Sequence, residues 1–284
     1  MFTTAETRAL QQLTTASGRL AVVAADQRTS LVKVRSAAGQ PADRDALRGF
    51  KHDLVEALAP LAPAVLLDPE IALPSVIDEG ALPGHTGLLV SLERSGPPLI
   101  GQARPAELLP DLGAAGVRAL GGTAAKLLVH LRADGERQNA VLVRSAVEDC
   151  RRHDLLLIVE AVVHRLPGED EQAFAHARPG LIHESALLLE ECGVGYLKLE
   201  YPGDEKACAA LTDAIEVPWA LLSAGVDHDT FVGQLRIALA AGASGFIAGR
   251  SIWKEAAVLP RAQARDFLRG ESRRRLERLL ELVA

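Results

Sequence analysis

The feature that most constrains this chain is the alternation of short apolar segments with segments of helical periodicity. Eight segments are apolar along most of their length, and most are separated by stretches in which apolar residues recur at helical spacing. Strands without a polar face are typical of parallel sheets covered by helices. The eight predicted strands are 20–26, 64–70, 87–93, 124–132, 155–160, 195–202, 218–225 and 245–250.

The number of strand and helix units favours a closed (β/α)8 TIM barrel over an open doubly wound sheet. A doubly wound sheet that binds a dinucleotide would have a glycine-rich turn after its first strand, whereas this chain has Asp26-Gln27-Arg28 there. Without a low-complexity linker, residues 1–284 are expected to form one barrel domain with an N-terminal and a C-terminal helix. The predicted helices are 3–15, 42–61, 105–116, 140–153, 180–192, 205–215, 230–241 and 261–283.

The composition argues against several classes of partner. The formal net charge is −6 and no basic patch is interleaved with aromatic residues, so we expect no nucleic acid. An apolar run of about 20 residues and a signal peptide are both absent, so no membrane association is expected. Cys150, Cys192 and Cys208 form no CxxC pair, which predicts reduced thiols in a cytoplasmic protein. The histidines show no HxxxH or HxH spacing, which predicts no metal site.

The sixth predicted strand carries a lysine where an apolar strand should have none. Alternation places Tyr196, Lys198 and Glu200 on one face and the intervening leucines on the other. If the leucines face covering helices, Lys198 points into the interior. Burial disfavours an ammonium ion, and the free amine is the nucleophile that forms Schiff bases with carbonyls. Alternatively, Lys198 lies on an edge strand or pairs with Glu200 or another carboxylate.

Polar residues recur at the carboxyl ends of the predicted strands, where barrels carry their chemistry. A solvated rim would also contain charges, so most of these residues need no functional explanation. Lys126 differs, because it lies within an apolar strand and therefore deeper in the lumen. Two lumenal lysines repel as ammonium ions, which helps to keep one of them neutral. The residues at the strand ends are Asp26, Asp68, Glu70, Glu93, His130, Arg132, Glu160, Lys198, Glu200, Ser223 and Arg250.

The last two predicted strands end in a pattern that suits an anion. Ser223-Ala-Gly225 offers a hydroxyl and open backbone, and Gly249-Arg250 offers a guanidinium at the adjacent strand end. Barrels commonly bind a phosphate at this position, and glycine lets the backbone approach it closely. We therefore predict that Ser223, Gly225, Gly249 and Arg250 bind a phosphate.

These segments together resemble a known family. The chain is similar to the class I tagatose 1,6-bisphosphate aldolases and to the sulfofructose 1-phosphate aldolases of sulfoglycolysis, in the same order from about Gly18 to Trp253. The matching segments are Ala24-Ala-Asp-Gln-Arg28, Leu67-Asp-Pro-Glu70, Lys126-Leu-Leu-Val129, Val159-Glu160, Leu197-Lys-Leu-Glu200, Leu222-Ser-Ala-Gly-Val226, Ala241-Gly-Ala-Ser-Gly245 and Gly249-Arg250-Ser-Ile-Trp253.

The resemblance implies a (β/α)8 barrel and a Schiff-base reaction that needs neither metal nor cofactor. Lys198 matches the Schiff-base lysine and Glu160 the acid/base carboxylate. Asp26 and Lys126 match the other charged groups around the carbonyl carbon. Gln27 and Arg28 are expected to line the pocket, and Ser223, Gly225 and Arg250 to bind the phosphate of the dihydroxyacetone phosphate half.

The two branches of the family each match part of the chain. The segment 67–74 looks more like the tagatose-bisphosphate branch, whereas 243–250 and the compact loop 200–202 look more like the sulfosugar branch. The expected reaction is the reversible cleavage of a ketose 1-phosphate to dihydroxyacetone phosphate and an aldehyde. Tagatose 1,6-bisphosphate and 6-deoxy-6-sulfofructose 1-phosphate are candidate substrates, and since neither branch fits throughout, a third ketose phosphate stays an alternative.

Two other functions stay open at this point. One is a non-catalytic phosphosugar-binding barrel, and the other is a Schiff-base transaldolase or deoxyribose-phosphate-type aldolase. Lys198, Lys126 and Glu160 together favour an enzyme, because binding alone needs no lysine inside an apolar strand. The apolar stripe of the terminal helix either packs on the barrel or forms the interface of a homo-oligomer.

Overall fold

Eight parallel strands close into a barrel in the computed structural model, which describes residues 2–97, 100, 103–132 and 135–284. The strands pair in sequence order, and the last pairs with the first, which confirms the predicted (β/α)8 barrel. They are β1 (Leu20–Ala25), β2 (Ala64–Leu67), β3 (Gly87–Ser91), β4 (Ala124–His130), β5 (Leu156–Val162), β6 (Leu197–Leu199), β7 (Trp219–Leu222) and β8 (Gly245–Ala248).

Helices precede the barrel, follow most of its strands and end the chain. The sequence pattern did not predict α2, α4 or α10, which are short. None of the helices in the described ranges is long and apolar enough to cross a membrane. The helices are α1 (Thr4–Leu13), α2 (Thr29–Ala37), α3 (Arg44–Leu58), α4 (Ser75–Asp78), α5 (Gly113–Ala119), α6 (Gly135–Arg152), α7 (Glu171–Glu191), α8 (Glu205–Ala214), α9 (His228–Ala240), α10 (Arg250–Trp253), α11 (Arg261–Phe267) and α12 (Arg273–Leu282).

The predicted helix at 105–116 is wrong in its bounds. Residues 105–112 form an irregular segment, and the helix α5 begins only at Gly113. The backbone of this segment bonds to the segment after β3 instead: Arg94 donates to the carbonyl of Glu107, and Leu109 donates to that of Leu92. These bonds occupy groups that a helix would need for its own hydrogen bonds.

The helix predicted at 180–192 begins nine residues earlier, at Glu171. The side chain of Asp170 accepts a hydrogen bond from the backbone N–H of Ala173 and caps this helix. The terminal helix predicted at 261–283 is divided, because a π-helical turn at Leu268–Ser272 separates α11 from α12. The apolar stripe of this terminal segment is largely buried between the helices and the barrel. The expectation that the stripe packs on the barrel is therefore confirmed.

The barrel interior is apolar at the amino-terminal end of the strands. Val22, Leu66, Leu89 and Ile158 fill this end of the lumen, beside Leu13 from α1. The neighbouring residues along each strand point outward and pack against the helices, as the two leucines of β6 do. The predicted faces of β6 are therefore confirmed. Charged side chains are left for the carboxyl ends of the strands.

A buried ion pair anchors the turn after β2, and the sequence pattern gave no sign of it. The ammonium group of Lys51, on α3, pairs with Asp68 and donates to the carbonyl of Ala25 at 2.7 Å. The other oxygen of Asp68 accepts from the backbone N–H groups of Glu70 and Ile71. Burial lowers the pKa of Lys51 despite the attraction of Asp68. The pair thus ties α3, β1 and the β2 turn together.

Replacing Lys51 with methionine would leave the carboxylate of Asp68 buried without its counter-ion. We expect Lys51→Met to lower the free energy of unfolding by about 3–5 kcal/mol in urea titrations. Lys51→Met combined with Asp68→Asn should recover part of that loss, because the amide carries no charge. Lys33→Met, at an exposed position on α2, is the control. Equal stabilities of Lys51→Met and the control would contradict the role of this pair.

Candidate active site

Carboxylates from three other strands surround the ammonium group of Lys126. Its Nζ lies 2.8 Å from Asp26 Oδ2, 2.9 Å from Glu93 Oε1 and 2.7 Å from Glu160 Oε2. The side chain is 1% exposed. Alternation along β4 points Lys126 into the lumen with Ala124, above the apolar layers. One buried cation therefore holds three carboxylates from three other strand ends.

Lys198 lies beside this cluster on β6. The register of β5 and β6 places Glu160 next to Lys198, and Lys198 Nζ lies 2.8 Å from Glu160 Oε2. The same carboxylate oxygen thus contacts both lysines. Since the barrel is closed, β6 has no free edge, and the edge-strand alternative for Lys198 is wrong. The alternative that Lys198 pairs with a carboxylate is correct, and that carboxylate is Glu160.

The charges of the cluster hold its members ionised. Burial works against the charged forms of Asp26 and Glu160, but the attraction of Lys126 and Lys198 outweighs it and lowers the pKa of both carboxyl groups. Burial also works against the Lys126 ammonium, yet the neighbouring carboxylates raise the pKa of Lys126 well above its usual value. Lys126 therefore stays charged, and Glu160 and Asp26 are available as bases.

A cavity of about 140 Å³ opens over Lys198 and Glu160. Lys126 contacts Glu160, which lines the cavity, and Asp26 in turn pairs with Lys126. The cavity wall contains predicted site residues from both the beginning and the end of the chain. Among the side chains and backbone that line it are Gln27, Glu160, Val162, Lys198, Glu200, Ser223, Ala224, Gly249 and Arg250.

The ends of β7 and β8 form a compact cationic corner of this cavity. Ala224 and Gly225 have positive φ angles of 49° and 87°. Arg250 Nη2 lies 3.3 Å from the carbonyl oxygen of Ala224, and Lys254 Nζ lies 3.1 Å from that of Gly225. A Cβ on Gly225 would come within 3.1 Å of the Arg250 guanidinium carbon. The tight turn therefore lets the cation lie against the loop, as an anion site requires.

Gly249 is needed for a different close approach. A Cβ at this position would lie 2.4 Å from the carbonyl oxygen of Ala24 on β1, so a larger residue would force the strands apart. The indole Nε1 of Trp253 donates to the same carbonyl at 2.9 Å. Gly249 therefore fixes the position of Arg250 at the cavity mouth.

The two residues after Asp26 have different surroundings. Gln27 lines the cavity, and its Oε1 is buried without a partner in the described structure. Arg28 instead pairs with Glu70 and donates to the carbonyl oxygen of Glu93 at 2.6 Å. A substrate contact fits the placement of Gln27 directly. For Arg28 it stays a prediction.

Two carboxylates of the site were noted at strand ends but were not selected as site residues. Glu93 Oε1 contacts Lys126, and its Oε2 accepts from the backbone N–H of Leu128. Glu200 lines the cavity, accepting from Val163 N–H at 2.8 Å and from Arg178 at 2.9 Å. Alternation from Leu89 pointed Glu93 inward, but nothing local distinguished it from a solvated rim residue.

Removing the Lys126 cation should move the pH dependence of activity. The pKa of Glu160 is lowered by Lys126, so Lys126→Met should raise it and narrow the range in which the base is ionised. We expect the acid limb of kcat/KM to move upward by about one pH unit or more. Lys206→Met, at an exposed lysine of α8, should leave the profile in place. An unchanged acid limb in folded Lys126→Met would contradict this electrostatic role.

Comparison with known proteins agrees with this geometry. The model of the family described as DeoC/LacD family aldolase matches residues 20–255. A tagatose 1,6-diphosphate aldolase 2 of Enterococcus faecalis is 29% identical, over 97% of this chain and 92% of that protein. A tagatose 1,6-diphosphate aldolase of Listeria monocytogenes is 28% identical, over 92% of this chain and 85% of that protein.

Solved structures show the same fold. A Schiff-base-forming fructose-1,6-bisphosphate aldolase superposes with a TM-score of 0.70 at 18% identity, covering 98% of this chain and 99% of that one. An archaeal fructose-1,6-bisphosphate aldolase, solved with a carbinolamine intermediate on its catalytic lysine, gives 0.66 at 19% identity and covers 98% of each chain.

A closed barrel with a buried lysine and carboxylate cluster at its carboxyl end, together with these matches, defines an aldolase, that is, a carbon–carbon lyase of class I. The chain belongs to the DeoC/LacD family.

Proposed function

We propose that this aldolase reversibly cleaves a ketose 1-phosphate to dihydroxyacetone phosphate and an aldehyde, through a Schiff base on Lys198. One observation carries the proposal. Lys198 Nζ lies 2.8 Å from Glu160 in a cavity whose other side is formed by Ser223 and Arg250. A nucleophile, a base and an anion site thus share one small space.

The order of the groups around the barrel follows the carbon skeleton of such a substrate. The phosphate on C1 lies against Ser223, Gly225 and Arg250 at β7 and β8. The C2 carbonyl then reaches Lys198 on β6, and the C4 hydroxyl reaches Glu160 on β5. Neighbouring strands in a barrel are roughly 5 Å apart, but the side chains of Lys198 and Glu160 converge to 2.8 Å, which suits C2 and C4 of one substrate.

The first half of the reaction makes an electron sink. The free amine of Lys198 adds to C2, and Glu160 is the adjacent group that takes up the ammonium proton. Glu160 then returns this proton to the hydroxyl group of the carbinolamine, which leaves as water and gives a protonated imine. This cation accepts the electron pair of the C3–C4 bond when that bond breaks.

The second half needs a base at the C4 hydroxyl. Glu160, with its lowered pKa, removes the hydroxyl proton; the C4 oxygen becomes the aldehyde, and the electrons form an enamine. Asp26 is the rival base, since its Oδ1 is buried without a partner in the described structure. Protonation at C3 and hydrolysis of the imine release dihydroxyacetone phosphate. Before each of these steps, Lys126 keeps both carboxylates ionised and therefore able to accept a proton.

Tagatose 1,6-bisphosphate and 6-deoxy-6-sulfofructose 1-phosphate are the proposed substrates. The names of the curated relatives support the first, and the resemblance of 243–250 to the sulfosugar branch supports the second. The cysteines Cys150, Cys192 and Cys208 are free and buried, which supports a cytoplasmic location. Assembly into a homo-oligomer stays a prediction.

Borohydride reduction tests the Schiff base directly. With dihydroxyacetone phosphate present, we expect one stable adduct by intact mass, mapped to Lys198, because the imine at this position is reducible. Lys198→Met should form none, and Lys206→Met should label like the wild type. If folded wild-type protein binds dihydroxyacetone phosphate but forms no adduct, the result would instead support a non-catalytic phosphosugar-binding barrel.

The anion corner predicts a dependence on the phosphate. Arg250→Met should raise KM for the ketose 1-phosphate about tenfold or more, because a charge-assisted contact is lost. Trapping of dihydroxyacetone without phosphate should change little in the same variant. Arg236→Met, at an exposed position on α9, is the matched control. Equal losses with both ligands would contradict a phosphate contact and favour a transaldolase-like donor site.

A further inference from the structure

A second cavity lies on the outside of the barrel, among the helices that follow β1 and the terminal helices. Its volume is about 360 Å³, and residues of α2, the loop after α2, α3 and α11 line it. It shares no lining residue with the cavity over Lys198. A ligand in this second cavity would therefore not touch the groups of the proposed reaction.

Arg35 places a buried cation in the wall of this cavity. Its side chain is on α2, and the residue is 4% exposed. Nε donates to the carbonyl of Pro41 at 2.7 Å, and Nη1 donates to that of Ala257 at 3.2 Å. The guanidinium is thus held by the loop after α2 and by the turn after α10. Its position is fixed by the fold.

The charge of Arg35 is not neutralised within the described part of the chain. Burial lowers the pKa of Arg35, and the attraction of Asp43, which caps α3, only partly opposes this. Asp43 forms no ion pair with it, and neither does any other described carboxylate. Asp134 is the one carboxylate outside the described ranges, and it follows the end of β4, three strands away from β1. A buried cation without a counter-ion is costly, so this position favours an anion.

The other charged residues of the wall already have partners. Arg261 pairs with Asp53, with Nε 2.8 Å from Oδ2 and Nη2 3.2 Å from Oδ1. Asp45 is exposed and lies 3.2 Å from Arg48. Arg35 is therefore the cation of this wall whose charge a ligand would balance.

The surface next to Arg35 is aromatic and apolar. The guanidinium carbon lies 5.3 Å from the ring centroid of Phe50. Phe50 is itself fixed, because its ring packs edge to face on Trp253 with centroids 5.8 Å apart. Pro41 and Ala46 add further apolar surface. A cavity of about 150 Å³ is enough for benzene, so this one has room for a ring that carries a carboxylate.

We propose that this cavity binds a small carboxylate with a flat apolar body, such as an aromatic acid. The carboxylate lies on Arg35, whose Nη2 makes no hydrogen bond to the described residues, and the body lies against Phe50. An inorganic anion would leave the apolar wall unfilled, and a neutral ring would leave the guanidinium unpaired. The inference is independent of the proposed function, because none of these residues lines the cavity over Lys198.

Benzoate and benzamide are the probes that test this site, because they have the same shape and differ in charge. In calorimetric titrations of the full-length protein, we expect benzoate to bind with a Kd on the order of 1 mM. Benzamide should bind at least about tenfold more weakly, since it cannot pair with a guanidinium. Arg250→Met should bind benzoate like the wild type, which separates this site from the anion corner. Lys33→Met, at an exposed position on α2, is the matched control.

Two variants test the position of the ligand. Arg35→Met should weaken benzoate binding about tenfold or more. Because Arg35 also holds two backbone carbonyls, its loss can lower stability, and the second variant therefore retains it. Ala46→Leu fills part of the cavity and should also weaken benzoate binding about tenfold, in a protein whose Tm is close to that of the wild type.

Three results would overturn the site. The first is no binding of benzoate to the wild type at about ten times the expected Kd. The second is equal affinity for benzoate and benzamide, or wild-type affinity for benzoate in folded Ala46→Leu. The third is loss of benzoate binding in Arg250→Met, which would assign the carboxylate to the cavity over Lys198 instead.

Discussion

The charged end of this barrel depends on the ammonium group of Lys126. Three carboxylates from separate strand ends lie within hydrogen-bond distance of it, and its side chain is 1% exposed. Without a cation, three buried carboxylates would repel one another and would bind protons, and their strand ends would lose a common anchor. With it, Asp26 and Glu160 stay ionised next to Lys198. The same interaction therefore organises the fold at this end and prepares the chemistry.

The closed sheet turns strand order into an order of chemical groups. In the proposed function, the anion corner lies at β8 and β7, the nucleophile on β6 and the base on β5. This arrangement of strand ends needs glycine where two backbones come close, as at Gly249, which lies against Ala24. In this proposal, a linear sugar phosphate that lies across the barrel mouth meets these groups in the order of its carbon atoms.

The sequence was sufficient for the parts of this architecture that follow from periodicity. Continuous apolar strands predicted the barrel, alternation predicted the inward face of Lys198, and the position of Lys126 within an apolar strand predicted that it lies in the lumen. Contacts between segments that lie far apart in the sequence could not be predicted from it. The Lys51–Asp68 pair joins a helix to a turn, and no local pattern distinguishes Lys51 from an exposed helical lysine. The segment 105–112 bonds to the strand end at 92–94, so tertiary contacts overrode its helical pattern.

A crystal structure of the protein after borohydride reduction with dihydroxyacetone phosphate tests the central claim most directly. We expect continuous density from Lys198 Nζ to C2 of the ligand, the phosphate against Ser223 and Arg250, and Glu160 still bonded to Lys126. Density on a different lysine, or a phosphate bound at the β4 side of the cavity, would contradict the assignment of groups to strands on which the mechanism rests.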